Sequence, residues 1–216
     1  MTPLSVSARW LHERLGDENL VVVDATNHLP VPTDGPYVPE SGAQTYRAEH
    51  IPGAFFADLL GDFADPEATD PWTAPDHERF AAAAGALGIG DGATVVVYDQ
   101  HDGFWATRFW WHLRYEGFDR VTVLDGGLPA WKAAGYEVTD VVPEPTPRAF
   151  TGTRRPGLIR STDEIAANLD DAGTILINVL DEATYRGEVD TYARRGHIPG
   201  SINLPVFTLK DPETGR

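Results

Sequence analysis

The chain has 216 residues, 42% of them hydrophobic, with six Trp, seven Tyr and nine Phe, enough for one or two cored domains and too apolar for a disordered segment. Its formal net charge of −16 argues against nucleic acid as a partner, because counterion release from a phosphate backbone requires a cationic face. The absence of cysteine removes disulfides, thiolate metal sites and every cysteine nucleophile from these residues.

Met1-Thr2-Pro3-Leu4 lacks the basic region and apolar stretch of a secretory signal. No run of about 18 apolar residues suggests a transmembrane helix. The expectation is a cytoplasmic protein with no membrane partner.

In chain order, Ser7 to Leu15 is predicted as a short amphipathic helix with Trp10, Leu11 and Leu15 on one face. Leu20 to Asp24 is a continuous β-branched run, the pattern of a parallel strand covered on both sides. Residues 28–45 and 61–76, rich in Pro and Asp, read as loops. Asp76 is a predicted N-cap for a helix from His77 to Leu87, with Gly88 just past its end. Thr94 to Asp99 is a second strand, followed by a helix from about Trp105 to Tyr115 and a strand from Val121 to Leu124. A last short helix spans Leu128 to Ala134. Strands alternating with helices predict an α/β fold with a mainly parallel sheet.

Residues 143–157, with Pro143, Pro145, Pro147 and Pro156, are expected to link this unit to a second one. The second unit opens with a predicted helix over Ser161 to Leu169 and a strand over Thr174 to Val179. An internal repeat supports the division. His50-Ile51-Pro52-Gly53-Ala54 returns 147 residues later as His197-Ile198-Pro199-Gly200-Ser201. That offset is the length of one ordinary domain, so the repeat indicates two tandem copies of one fold, the second represented by its opening alone.

Gly88, Gly90 and Gly92 follow a helix and precede a strand, the reverse of a dinucleotide-binding loop, and read as a turn; no cofactor is expected. His50 and His197 lack a second ligand at helical spacing, so each reads as a structural hydrogen-bonding residue, and no metal is expected. The loop Gln100-His101-Asp102-Gly103 is the better candidate, since open α/β sheets bind ligands at the carboxyl ends of their strands. Helix amides there suit an anion, but Asp102 is placed to cap them itself. Arg108 is the one cation within the aromatic cluster Phe104 to Trp111 of the following helix, with a salt bridge as its default role. The aromatic residues around it read as packing.

Three motifs occur in order: Tyr46 with His50-Ile51-Pro52-Gly53-Ala54, Val95-Val96-Val97-Tyr98-Asp99, and Val123-Leu124-Asp125-Gly126-Gly127 with Trp131. Together they resemble the rhodanese-like sulfurtransferases, and the repeat resembles the tandem kind that uses thiosulfate or 3-mercaptopyruvate. The resemblance implies a three-layer domain over 1–142, a linker over 143–157 and a partial second domain over 158–216. It implies transfer of sulfane sulfur from a small-molecule donor to a thiophilic acceptor through a Cys persulfide.

In that family the N-terminal copy usually lacks the Cys, which makes Gln100, His101, Asp102, Gly103 and Arg108 a vestigial active-site loop. The catalytic counterpart is expected about 147 residues after Asp102, past Arg216, so the isolated chain is expected to be truncated and inactive. The resemblance makes His50, Pro52, Gly53, His197, Pro199 and Gly200 structural, and leaves Arg186 and Arg194 as candidate donor-binding residues. Active second copies resemble Val-Asp-x-Arg, whereas this sequence has Ile177-Asn178-Val179-Leu180. That departure supports a second reading, a non-catalytic binding or regulatory module. The partial second domain is expected to be unstable alone and to pack on the first domain or need a complementing chain.

Overall fold

The computed structural model describes residues 2–30, 37–101, 103–190 and 192–209. Its contacts divide the chain into two units, Met1–Pro156 and Gly157–Arg216.

The first unit is built on five parallel strands: β1 (Ser5–Val6), β2 (Leu20–Asp24), β5 (Phe55–Phe56), β6 (Thr94–Tyr98) and β7 (Val121–Leu124), in the order β1-β7-β6-β2-β5. A short antiparallel pair, β3 (Asn27–His28) and β4 (Glu40–Ser41), leaves the carboxyl end of β2. The helices are α1 (Ala8–His12), α2 (Ala43–Ala48), α3 (His77–Ala86), α4 (Phe104–Tyr115) and α5 (Gly127–Ala133).

The two central strands read as unbroken apolar runs because both faces are covered. Val21, Val23, Val95 and Val97 face Phe80 of α3 and Phe109 and Leu113 of α4. The alternate residues Val22, Val96 and Tyr98 face Leu11 of α1 and Leu128 and Trp131 of α5. The result is the expected α/β arrangement of three layers around a mainly parallel sheet.

Asp76 caps α3, its carboxylate accepting the Arg79 N–H at 2.7 Å. Residues 28–45, expected as loop, instead supply β4, the end of β3 and the start of α2. Their proline content concealed elements of two and six residues, too short to leave a periodicity.

Residues 146–155 belong to the first unit and lie along its α3 and α4 side. The Arg148 N–H donates to the Gly85 carbonyl at 2.9 Å, and the Asp91 N–H donates to the Ala149 carbonyl at 3.1 Å. Phe150 joins the core on the α3 and α4 side. A Cβ on Gly90 would stand 2.2 Å from the Ala149 carbonyl oxygen, so glycine is what admits the strap there. Arg154 forks onto the fully buried Glu116 carboxylate, which also meets His77 Nδ1 at 2.6 Å.

The second unit contains α6 (Thr162–Ala167), β8 (Ile177–Asn178), α7 (Glu182–Arg186) and β9 (Ile202–Asn203). Ser161 and Glu164 close a capping box on α6. Strands β8 and β9 pair in parallel. No apolar residue of this unit is buried among the described residues.

Candidate functional site

Strand β6 delivers Asp99 to the carboxyl edge of the sheet, where its side chain is fully buried. Oδ1 accepts the N–H groups of His101 and Gly103, each at 2.9 Å. Oδ2 accepts those of Trp105 and Ala106, each at 3.0 Å. One carboxylate therefore gathers the amides of the loop and the first turn of α4, where an anion would otherwise be held. Gly103 starts the helix at φ 81°, a left-handed conformation that favours glycine, with no cap of its own.

Asp99 caps these amides, and Asp102, for which a capping role was expected, lies outside the described residues. An Asp at the end of a strand, accepting the N–H two residues on, is an Asx turn, the local signal that pointed to Asp99.

Gln100 ties this loop to the end of β2 and to the residue after α2. Its N–H donates to Thr26 Oγ1 at 3.0 Å, and its Nε2 donates to Asp24 Oδ2 at 3.0 Å and to the Glu49 carbonyl at 2.8 Å. Burial raises the Asp24 carboxyl above its ordinary range, opposed by hydrogen bonds from Thr26 and Gln100. Burial and the nearby Asp24 charge push Tyr46 up to about 12. Arg108 meets no carboxylate among the described residues. Its guanidinium donates to the Trp72 carbonyl, and burial lowers its pKa. The expected salt bridge is thus replaced by a backbone contact to a residue held at φ 61°.

His101 is exposed at the loop's outer edge, its Nε2 3.0 Å from His28 Nδ1. His28 Nε2 in turn lies 2.6 Å from Thr45 Oγ1 on α2. Neither His28 nor Thr45 stands out in the sequence, since the loop between them hides their contact.

The two histidine motifs fold alike. His50 Nδ1 lies 2.8 Å from the Tyr46 carbonyl, its ring stacks on Tyr46, and the Tyr46 hydroxyl donates to the Ala54 carbonyl at 2.7 Å. His197 Nδ1 lies 2.8 Å from the Tyr185 carbonyl, its ring stacks on Tyr185, and the Tyr185 hydroxyl donates to the Ser201 carbonyl at 2.6 Å. Gly53 and Gly200, after Pro52 and Pro199, turn at φ 79° and 81°. The tyrosine thus stands four residues before His50 but twelve before His197, a displacement the linear motif did not show.

The strands repeat as well. The Ala57 N–H donates to the Asp24 carbonyl at 2.8 Å, and the Leu204 N–H to the Asn178 carbonyl at 2.9 Å. The Thr26 N–H donates to Asp24 Oδ1 at 2.9 Å, and the Leu180 N–H to Asn178 Oδ1 at 3.0 Å. Asn178 and Leu180 therefore occupy the places of Asp24 and Thr26.

Arg186 pairs with Glu182 and, at 3.9 Å, with Glu188, while Arg194 is exposed with no ion-pair partner among the described residues. His50 Nε2 lies 3.2 Å from the Val141 carbonyl, so both its nitrogens face carbonyls. Among the described residues no three His, Asp or Glu side chains are grouped to hold a metal ion. No helix among them is long and apolar enough to cross a membrane.

The family model described as the rhodanese-like domain matches residues 7–134. The chain belongs to the rhodanese-like family. It is 36% identical to a thiosulfate/3-mercaptopyruvate sulfurtransferase of Arabidopsis thaliana, with 95% of this chain and 65% of that protein covered. A second Arabidopsis protein, a mitochondrial thiosulfate/3-mercaptopyruvate sulfurtransferase, is 34% identical, with 95% of this chain and 59% of the relative covered. The chain thus spans about three fifths of the length of these relatives. It is 34% identical to the 3-mercaptopyruvate sulfurtransferase of Escherichia coli, covering 94% of this chain and 72% of the relative. Among solved structures, an Escherichia coli protein described through the rhodanese fold and the mechanism of 3-mercaptopyruvate sulfotransferases aligns with a TM-score of 0.81. That alignment has 31% identity and covers 94% of this chain and 75% of the other.

Proposed function

We propose that residues 1–216 are the non-catalytic first copy and the opening of the second copy of a sulfurtransferase of the thiosulfate or 3-mercaptopyruvate type. In this reading the first copy spans 1–142, residues 143–157 connect it to the second, and 158–216 open the second. The Cys that takes up sulfane sulfur from the donor and passes it to a thiophilic acceptor lies outside these residues, which alone transfer no sulfur. The observation that carries the reading is the Asp99 carboxylate, which occupies the four amides that would otherwise stabilise a transferred anion. The repeated hydrogen bonds around Asn178 and His197 support the second copy. Cytoplasmic location and a complementing segment for residues 158–216 belong to the same proposal.

The test is cyanide-dependent thiocyanate production from thiosulfate and from 3-mercaptopyruvate by the 216-residue chain. None above a buffer blank is expected. Turnover would overturn the reading, since it would need sulfur transfer without cysteine. A second reading, a rhodanese-like binding module without catalysis, draws on Asn178 and Leu180 in place of the family's Asp and Arg. It is favoured if supplying a cysteine-bearing C-terminal half from a relative also yields no thiocyanate.

A further inference from the structure

Thr45 and Thr184 are the third residue after the N-cap in α2 and α7, and the two helices correspond through their stacked tyrosines. Their hydroxyls have different fates. In α7 the N-cap is Asp181, and its carboxylate accepts both the Thr184 N–H at 2.9 Å and the Thr184 hydroxyl at 2.6 Å. In α2 the N-cap is Gly42, which offers no side chain. Glycine is imposed there by packing, because a Cβ would stand 2.2 Å from the Thr26 carbonyl oxygen. The Thr45 hydroxyl is left without a cap to bind. A helical Thr usually turns its hydroxyl back to a carbonyl of the preceding turn. Thr45 instead directs Oγ1 to His28 Nε2, 2.6 Å away on β3.

The imidazole it meets is held from its other side. His28 Nδ1 lies 3.0 Å from Nε2 of His101, which belongs to a third segment, the loop after β6. With the Thr45 hydroxyl donating to His28 Nε2, the His28 Nδ1–H donates to His101 Nε2, and each nitrogen in the chain has one role. A hydroxyl, a base within hydrogen-bond reach and a third group fixing that base's tautomer are the parts of an activated nucleophile. They lie at the carboxyl edge of a parallel sheet, and Thr45 and His28 are only half-buried while His101 is exposed.

We propose that Thr45 is a nucleophile activated by His28, with His101 as the residue that positions His28, and that the site accepts acyl groups from small activated esters. Thr45 Oγ1 bonds to the ester's carbonyl carbon while its proton passes to His28 Nε2. The carbon–oxygen bond to the leaving alcohol then breaks, the departing oxygen takes that electron pair and the proton held by His28, and the acyl group remains on Thr45. Water later attacks the acyl carbon while His28 Nε2 takes one of its protons and passes it to the departing Thr45 oxygen, giving a carboxylic acid and restoring the Thr45 hydroxyl. The step needs no cysteine and no redox partner, so it is independent of sulfur transfer.

The test treats the 216-residue chain with p-nitrophenyl acetate and locates acetyl groups by peptide mass spectrometry. One acetyl is expected on Thr45, retained in T45S and lost in T45V, with Thr184 unlabelled. General-base assistance of this kind is worth about 100-fold or more, so labelling of Thr45 in H28Q is expected to slow by at least that factor. H101Q, changed at an exposed side chain, is expected to slow labelling less and to shift its pH profile, whereas T45S leaves the profile in place. Acetyl groups found only on other residues, or an unchanged labelling rate in H28Q or in H101Q, would overturn the proposal.

Discussion

His50 and His197 make the same hydrogen bond to a tyrosine carbonyl and the same ring stack, yet His50 is fully buried and His197 is exposed. The residues that follow them differ in the same way: Ile51 is 0% exposed and Ile198 is 50% exposed. Around His50, residues 139–141 return to close the turn, with the His50 and Thr139 N–H groups exchanging hydrogen bonds at 2.8 and 2.9 Å. Around His197 no described segment does this. The comparison separates two things that a motif joins. Its local hydrogen bonds form from a few residues, whereas its burial depends on distant chain, Tyr98 of β6 at 47 positions from Ile51 and Val141 at 91 positions from His50.

The largest effect should appear in limited proteolysis. Residues 157–209 bury no apolar side chain among those described, and the first unit buries two clusters. Cleavage within 157–209 is expected to be at least about tenfold faster than within 1–156, because protection follows local stability. Equal resistance, followed by gel and mass spectrometry, would break the contrast.

Matched truncations sharpen it. Ile51→Ala empties a fully buried site and is expected to cost about 3 kcal/mol, measured by urea unfolding of the first unit. Ile198→Ala, at the same place in the motif, should stay within about 0.5 kcal/mol. Similar losses for both would mean that the second unit is as well packed as the first.

The smallest expected effect is a slope in pH. Burial first, then the charges of Arg108 and Arg154, lower His112 from 6.5 to about 3. Its folded form therefore stays neutral while the unfolded chain takes up a proton below pH 6.5. The stability this neutral residue contributes is present above that value and is lost as the pH falls toward 3, at up to about 1.4 kcal/mol per pH unit. His112→Phe is expected to flatten the acid limb of the first unit's stability curve. An unchanged limb would show that another group governs acid unfolding.

The central strands, α3 with its Asp76 cap, and the alternating order of strands and helices were legible because each has a local cause. Val95-Val96-Val97 can hardly be other than a covered strand, and Asp76 followed by a helical run caps it. The candidate site was legible as a loop and not as a mechanism. Its position after β6 followed from topology, but the carboxylate that fills it is Asp99, and the contacts of Gln100 reach residues up to 76 positions away. The repeat was visible at His50 and His197 where the offset stays constant. It was invisible at Tyr46 and Tyr185, because the intervening segments differ in length. Arg148 and Arg154 sit in a proline-rich stretch that composition alone marks as a connection, while their partners Glu18, Asp91 and Glu116 are distant in sequence.

By itself the sequence determined the α/β class, the family and the lack of any thiol chemistry in these residues, since those follow from periodicity, motif and residue type. Tertiary structure alone decided that Gln100 meets Asp24 and Glu49, that Arg148 and Ala149 bond to Gly85 and Asp91, and that Thr45 meets His28 and His101. Each of those facts is a contact between groups far apart along the chain, and such contacts exist only after the backbone has closed the distance between them.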